Sequence, residues 1–229
     1  YLNDSHFVTK KSNNGAFQMQ PYEKLILQDE DPHFRVMNLT TSTFNDARTS
    51  YYLKSIGGYS AAKLRRYQDL IDEHISKMNM NVIGMLNAKY IIVPDKKSGQ
   101  AAVQRNPYAM GNAWFVDTLQ VVNTANEESD ALSYIDLHTT AVLDKEFASY
   151  VDNFTPGSDP DAMVHLTKYT PRYLDYEYST SKPGTIVFSE IYYPYGWKAT
   201  IDGQPADIYR VNYILRAINV PAGSHILID

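Results

Sequence analysis

The stretch that decides the fold is WKATIDGQPADIYRVNYILRAINV, residues 197–220. Its Asp202-Gly203 step lies between two short alternating segments and favours the positive φ angles of a two-residue hairpin turn. Further alternating segments lie before and after it, separated by the turn sequences KPG, YPYG and PAG. The predicted strands cover residues 163–168, 172–179, 184–191, 197–201, 205–211, 213–220 and 224–229. About seven short strands of this kind predict an antiparallel β-sandwich.

Residues 1–150 have a different pattern, in which helical periodicity alternates with short apolar runs. The apolar residues from Leu64 to Met78 recur every three or four positions, which predicts an amphipathic helix. Segments 34–39 and 50–56 alternate as strands. The predicted fold class is therefore α+β. Its parts are a mixed α/β domain at 1–150, a Pro- and Asp-rich linker at 151–162, and a β-sandwich domain at 163–229 that is truncated in its C-terminal strand.

The composition excludes several classes of protein. The 229 residues carry 21 Lys and Arg against 26 Asp and Glu, and this net charge of −5 argues against a nucleic-acid partner. Without cysteine, the chain has no disulfide, thiolate metal site or cysteine nucleophile. The six histidines show no metal-binding spacing, so we expect no metal and no cofactor. No apolar run reaches the roughly 18 residues of a membrane helix.

A first candidate site follows two glycines at the start of the predicted helix. Three cations lie in its first turns, where backbone N–H groups commonly hold anions. The pattern predicts a site for a phosphate or a lipid headgroup, formed by Gly57, Gly58, Lys63, Arg65 and Arg66. The alternative is a solvated basic face, whose cations pair with Asp69, Asp72 and Glu73 one turn further on.

A second candidate site is YYPYGW, residues 192–197, which connects two predicted strands. Flat aromatic rings on such a loop stack on the apolar faces of sugars. The candidate stacking residues are Tyr192, Tyr193, Tyr195 and Trp197. The alternative is that Trp197 fills the core beneath the loop.

Ser60 follows a predicted strand and a tight turn and precedes a helix, which is the setting of a nucleophile elbow. A hydrolase also needs a histidine and an acid, and no local signature supplies them. The other interpretation is that Ser60 caps the helix. No catalytic residue is therefore predicted from spacing.

Four stretches together resemble a known family. They are GGYSAAKLRRYQDLI (57–71), MLNAKYIIV (85–93), NPYAMGNAWFV (106–116) and SEIYYPYGWKATIDGQPADIYRVNYILRAINVPAGSHILI (189–228). These stretches are similar to the C-terminal extracytoplasmic part of YfhO-family bacterial membrane proteins of the Bacteroides type. The last one is the most specific, because its ordered set of motifs is too long to arise from strand propensity.

The resemblance implies a parent with many membrane helices, similar to glycosyltransferases that use polyprenyl-phosphate sugars. The catalytic carboxylate of such enzymes lies on a loop between early membrane helices, so the resemblance implies no catalytic residue in this chain. The chain starts at Tyr1 without Met or signal peptide and stops at Asp229 within an apolar run, and we expect it to be a fragment.

The implied role is that of a soluble domain on the extracytoplasmic (periplasmic) face of the cytoplasmic membrane, tethered by the parent's transmembrane helices. Its expected partners are those helices and an acceptor or cell-envelope glycan, or a polyprenyl-phosphate sugar. Two alternatives stay open. One is a structural or assembly module that contacts other envelope proteins, and the other is an autonomous hydrolase that uses Ser60.

Overall fold

The structure is a computed structural model that describes residues 18–228. Contacts within the chain divide these residues into two compact units. The first unit comprises 18–30, 36–59 and 90–105, and the second comprises 31–35, 60–89 and 106–228. Each unit is therefore assembled from segments that are distant in the sequence.

The helices are short and the strands are numerous. The helices are α1 (Pro21–Ile26), α2 (Thr49–Tyr52), α3 (Arg65–Leu70), α4 (Met80–Met85) and α5 (Ala125–Ala131), with a π-helical turn at Ile71–Ile75 and a 3-10 helix at Lys145–Tyr150. The strands are β1 (Arg35–Asn38), β2 (Ala88–Pro94), β3 (Ala101–Arg105), β4 (Ala113–Val116), β5 (Thr118–Val122), β6 (Thr140–Asp144), β7 (Met163–Tyr169), β8 (Leu174–Thr180), β9 (Gly184–Ile191), β10 (Ala199–Ile201), β11 (Gln204–Ala206), β12 (Tyr209–Val211), β13 (Leu215–Val220) and β14 (Gly223–Ile228). This content confirms the predicted α+β class.

The first unit is built on a three-stranded sheet with the order β1-β2-β3, in which β2 and β3 are antiparallel. Helix α1 packs on β3. Its Glu23 is fully buried, and the carboxylate accepts a hydrogen bond from Nη1 of Arg48 at 2.5 Å. Burial of a carboxylate costs several kcal/mol unless a partner of this kind compensates it.

The second unit contains two antiparallel sheets, with the strand orders β11-β10-β14-β8-β7 and β12-β13-β9-β4. Side chains from both sheets form one hydrophobic core, in which Tyr176 and Phe188 meet edge to face with centroids 5.0 Å apart. Strand β4 pairs with β9, although it lies in the segment predicted to belong to the N-terminal domain. A single seven-stranded sandwich from residue 163 onward is therefore not confirmed, because eight strands lie in that region and a ninth joins them from residues 113–116.

The hairpin predicted at Asp202-Gly203 is confirmed. Asp202 has φ 48° and Gly203 has φ 80°, so both central residues lie in the left-handed region that such turns require. The turn joins β10 to β11, with Ile201 opposite Gln204. The predicted strand 205–211 then splits into β11 and β12, which belong to different sheets.

Two predictions near residue 60 are wrong. Segment 50–56 is not a continuous strand, because it begins in helix α2, which ends at Tyr52, and only then becomes extended at Leu53. Ser60 does not cap the following helix, because that helix begins at Arg65 with Leu64 as its cap residue.

The amphipathic helix itself is confirmed in two parts, α3 and the π-helical turn. Ile71 and Ile75 are buried, as the apolar spacing predicted, whereas Leu64 and Met78 at the ends of the predicted face are 43% and 42% exposed. Among the described residues, no helix is long and apolar enough to cross a membrane.

Candidate functional site

The loop with the predicted stacking residues connects β9 to β10 in the second unit. Its start is held by β13, because the Tyr192 N–H donates to the Ile214 carbonyl oxygen at 2.7 Å, just before that strand. Tyr193 is 48% exposed and Tyr195 is 74% exposed. Their rings meet edge to face, with centroids 5.6 Å apart. The loop therefore presents two aromatic side chains to solvent from a fixed base.

Trp197 has the opposite role in this loop. Its side chain is partly buried and packs against the core of the two sheets. The guanidinium of Arg216 lies 4.0 Å from the centroid of the indole ring, and its Nε donates to the Ile191 carbonyl oxygen at 3.1 Å. A cation at this distance covers the ring face it contacts. The geometry thus favours the packing interpretation of Trp197 and leaves three tyrosines as candidate stacking residues.

Two depressions adjoin this loop, and Tyr192, Tyr193 and Pro194 line both of them. The smaller has a volume of about 260 Å³ and also contacts Trp197. The larger has a volume of about 380 Å³, and we name it the arginine cleft. The residues that line the arginine cleft are Leu64, Arg65, Arg66, Glu146, Phe147, Tyr192, Tyr193, Pro194, Arg210 and Ile214. It joins two residues of the predicted anion site to two of the predicted stacking site.

The three guanidinium groups of the cleft differ in their surroundings. Arg65 is exposed and pairs with Asp69, with Nε 3.1 Å from the carboxylate. Nη1 of Arg66 donates to the Tyr213 carbonyl oxygen at 3.4 Å, and its guanidinium lies 4.5 Å from the centroid of the Tyr213 ring. Arg65 thus follows the alternative of a solvated basic face, whereas Arg66 turns towards the protein.

Arg210 is the buried member of this set, with a side chain only 8% exposed. Its guanidinium lies 4.6 Å from the Phe147 ring centroid, and Nη2 is 3.4 Å from the Glu146 carboxylate. The buried Nε atom of Arg210 has no hydrogen-bond partner. Three arginines and one glutamate, Glu146, line the cleft, and Asp69 and Glu128 pair with these arginines from outside the lining.

A buried carboxylate lies next to two of these arginines. Glu128, on α5, is fully buried. Its Oε2 is 3.7 Å from Nη1 of Arg66 and 3.7 Å from Nη2 of Arg210, and it accepts no hydrogen bond. Burial raises the pKa of Glu128 to about 7, and the attraction of Arg210 only partly opposes this. The carboxyl group is therefore poised between its two protonation states near neutral pH.

The turn between β12 and β13 fixes the position of Glu128 and Arg210. Asn212 and Tyr213 have φ values of 50° and 70°, a left-handed conformation that asparagine tolerates and that costs about 1–2 kcal/mol for a residue such as Tyr213. Oε1 of Glu128 accepts the Tyr213 N–H at 3.0 Å. Asn212 exchanges two hydrogen bonds with the backbone of Val142, at 2.7 and 2.9 Å. These contacts hold the turn in its strained geometry.

The remaining residues of the predicted anion site lie elsewhere. Gly57 and Gly58 belong to the first unit, whereas Lys63 belongs to the second and does not line the cleft. The Gly58 N–H donates to the Thr43 carbonyl oxygen at 2.7 Å, and the Gly57 N–H donates to Oγ of Ser55 at 3.0 Å. Both amide groups are thus engaged inside their own unit.

Sequence reasoning missed Glu128, Phe147 and Arg210. A signal for Glu128 was present, because it shares helical spacing with Ala131 and Leu132, which are fully buried. A charged residue on an apolar helix face predicts a buried partner. Arg210 gave no comparable signal, since its neighbours Tyr209 and Val211 are buried as well and β12 shows no alternation.

A further depression of about 500 Å³ lies on the five-stranded sheet, lined by His165, Glu177, Ser179 and His225 among others. Nδ1 of His225 lies 2.5 Å from Oδ2 of Asp202. This hydrogen bond raises the pKa of His225 and lowers that of Asp202. Nε2 of His225 faces the Ala222 carbonyl oxygen at 3.1 Å, so this imidazole does not contact a serine nucleophile.

The described side chains around the arginine cleft are binding groups: arginines, tyrosines and a phenylalanine. Ser60 is exposed, and within residues 18–228 no histidine forms a hydrogen bond with Ser60. Over the same residues, no group of three or more His, Asp or Glu side chains is placed to hold a metal ion. A comparison with known proteins found no family model, no curated protein and no solved structure that matches the chain.

Proposed function

We propose that the chain is the extracytoplasmic domain of a YfhO-like membrane protein and that it binds an acceptor or cell-envelope glycan without catalysing a reaction alone. In this proposal the strands from residue 163 onward, together with β4, form a β-sandwich that carries the binding loop. The parent's transmembrane helices hold the domain at the periplasmic face of the cytoplasmic membrane.

The observation that carries the binding part is the exposed pair Tyr193 and Tyr195 beside two depressions. Sugar rings have apolar faces that release water when they stack on an aromatic ring. Tyr192 adds a third ring, held edge to face against Phe147 with centroids 5.7 Å apart. A rigid platform of this kind binds without first ordering a flexible loop, which lowers the entropic cost of binding.

The affinity expected of this platform is weak. A shallow aromatic surface supplies few convergent hydrogen bonds, so we expect a Kd near the millimolar range, equivalent to about 4 kcal/mol. Titration of the 229-residue chain with envelope oligosaccharides, followed by NMR, tests the proposal. Tyr195→Ala is expected to abolish the shift changes. Tyr134→Ala is the matched control, because Tyr134 is 70% exposed and lies on another segment.

The structural or assembly role is a second candidate function, supported by a different observation. Trp197 and Arg216 tie the loop to the core, so part of YYPYGW stabilises the fold. The structural role replaces the binding role in two cases: if Tyr195→Ala binds oligosaccharides as tightly as the unsubstituted chain does, or if no oligosaccharide shifts any NMR signal.

A further inference from the structure

We propose that the arginine cleft binds a sugar that carries an oxyanion, a carboxylate or a phosphate, with the anion placed on Arg66 and Arg210 and the sugar ring against Tyr192 and Tyr193. This inference rests on the proposed glycan binding and adds the chemical class of the ligand. It is carried by three features of the cleft: two arginines that approach Glu128 without a hydrogen bond to it, an unpartnered buried guanidinium nitrogen, and adjacent aromatic rings.

The distances between two lining arginines and their buried acidic partner favour an anion. Arg65 is neutralised by Asp69, and Glu146 is the one acidic residue among the cleft-lining side chains. Arg66 and Arg210 both point to Oε2 of Glu128, but at 3.7 Å neither makes a hydrogen bond to it. Arginine forms short paired hydrogen bonds with carboxylates and phosphates. A ligand oxyanion would supply the close contacts that Glu128 does not.

The buried nitrogen points to the same conclusion. Arg210 is more than nine-tenths buried and lines the cleft, and its Nε atom has no partner. A buried donor without a hydrogen bond destabilises the protein, so a ligand oxygen that reaches Nε recovers this loss. Phe147 under the Arg210 guanidinium keeps the group in place, with 4.6 Å between them.

Anion binding in this geometry is linked to the proton on Glu128. The charged or titratable groups that face Glu128 are Arg66 from α3, Arg210 from β12, Tyr213 from the following turn and Asp144 at the end of β6, with Glu146 beyond Arg210. A ligand anion that draws the two arginines away leaves Glu128 without its counter-charges. Glu128 then takes up a proton, so the affinity for the anion falls as the pH rises above the pKa of about 7.

Isothermal titration of the whole chain with glucuronic acid, glucose 1-phosphate, glucose and inorganic phosphate tests the inference. We expect both acidic sugars to bind at least about tenfold more tightly than glucose, as one charged hydrogen bond provides. Arg66→Gln is expected to remove this advantage and to leave the affinity for glucose unchanged. If inorganic phosphate binds as tightly as glucose 1-phosphate, the cleft recognises only the anion. The proposed contact of the sugar ring with Tyr192 and Tyr193 is then wrong.

A second variant keeps the test decisive if an arginine variant fails to fold. Glu128→Gln keeps an oxygen for the Tyr213 N–H and removes the charge. At about one pH unit above the pKa of Glu128, this variant is expected to bind glucuronic acid about tenfold more tightly than the unsubstituted chain. The control Glu127→Gln, on the exposed side of α5, should leave the affinity unchanged.

The outcomes separate this inference from the proposed function. Equal affinity for acidic and neutral sugars, with Tyr195→Ala still abolishing both, refutes the oxyanion site and preserves glycan binding. If Arg66→Gln loses binding of acidic sugars while Tyr195→Ala leaves the affinity for sugars unchanged, the tyrosine platform is refuted and the anion site is preserved. If Arg66→Gln weakens association with anionic vesicles but not with acidic sugars, the cluster serves a membrane surface and the inference is wrong.

Discussion

Oε2 of Glu128 and Nη2 of Arg210 lie 3.7 Å apart in the second unit, close enough to attract and too far to form a hydrogen bond. Coulomb attraction at this distance does not repay the burial of the carboxylate, and the pKa of Glu128 stays raised at about 7. The buried Glu128 therefore lowers the stability of the fold. Its partner Arg210 also lines the arginine cleft.

The first prediction concerns stability against pH. The folded state holds a proton on Glu128 that the unfolded chain releases near its ordinary pKa of 4.5, so folding stability falls as the pH rises from about 4.5 to about 7. The loss is of order 3 kcal/mol at most. Urea unfolding at several pH values should show this decline in the unsubstituted chain. In Glu128→Gln, the free energy of unfolding should depend less on pH. Parallel profiles would contradict the burial argument.

The second prediction concerns an acid whose pKa moves in the opposite direction. Glu190 is buried, which opposes its charge, but its hydrogen bond from His33 at 2.7 Å and its ion pair with Arg35 at 2.9 Å lower its pKa to about 2. Its contribution is complete above the unfolded pKa of 4.5 and is lost as the pH falls towards about 2. The free energy of unfolding of Glu190→Gln should therefore fall less at low pH than that of the unsubstituted chain. An equal fall in both would argue against the contacts of Glu190 with His33 and Arg35.

The third prediction separates packing from display within one loop. Trp197→Ala should lower the free energy of unfolding by about 3 kcal/mol, because the ring packs on the core and carries Arg216. Tyr195→Ala should change it by less than about 0.5 kcal/mol, since the side chain is exposed. Chemical unfolding measures both values. Similar losses in the two variants would mean that the whole loop is structural.

The fourth prediction concerns Gly57 in the first unit. A Cβ atom at this position would lie 2.1 Å from the Thr43 carbonyl oxygen, which is a backbone atom and cannot move aside easily. Gly57→Ala should therefore destabilise the chain by more than about 2 kcal/mol.

The control for this substitution is Gly99→Ala in the β2-β3 turn. Its Cβ would meet open space, but its φ of +69° still carries a cost of about 1 kcal/mol. A larger loss at Gly99 than at Gly57 would show that backbone conformation, and not the close contact, dominates.

The sequence predicted those features that depend on neighbouring residues. Asp202-Gly203 marks its hairpin because both residues tolerate positive φ, and the observed angles agree. The helix that buries Ile71 and Ile75 also follows from a local pattern, the apolar spacing of its residues. Local preference failed at 50–56, where an alternating pattern predicted a strand and the segment begins in helix α2.

The features that escaped prediction depend on residues far apart in the chain. Strand β4 joins β9 across about seventy residues, and nothing local in the segment AWFV indicates that partner. The arginine cleft is a similar case, because α3, the 3-10 helix, the aromatic loop and β12 each supply part of its lining. Sequence patterns identified Arg66 and Tyr193 separately, and only the fold brings them to one cleft.

The most direct test of the glycan-binding claim is a map of the binding surface. Titration of isotope-labelled chain with an envelope oligosaccharide should shift the NMR signals of Tyr193 and Tyr195 first, together with those of Arg66 and Arg210 when the oligosaccharide is acidic. Shifts centred on the depression around His225, or no shifts at millimolar concentration, would contradict the assignment of binding to the tyrosine loop and the arginine cleft.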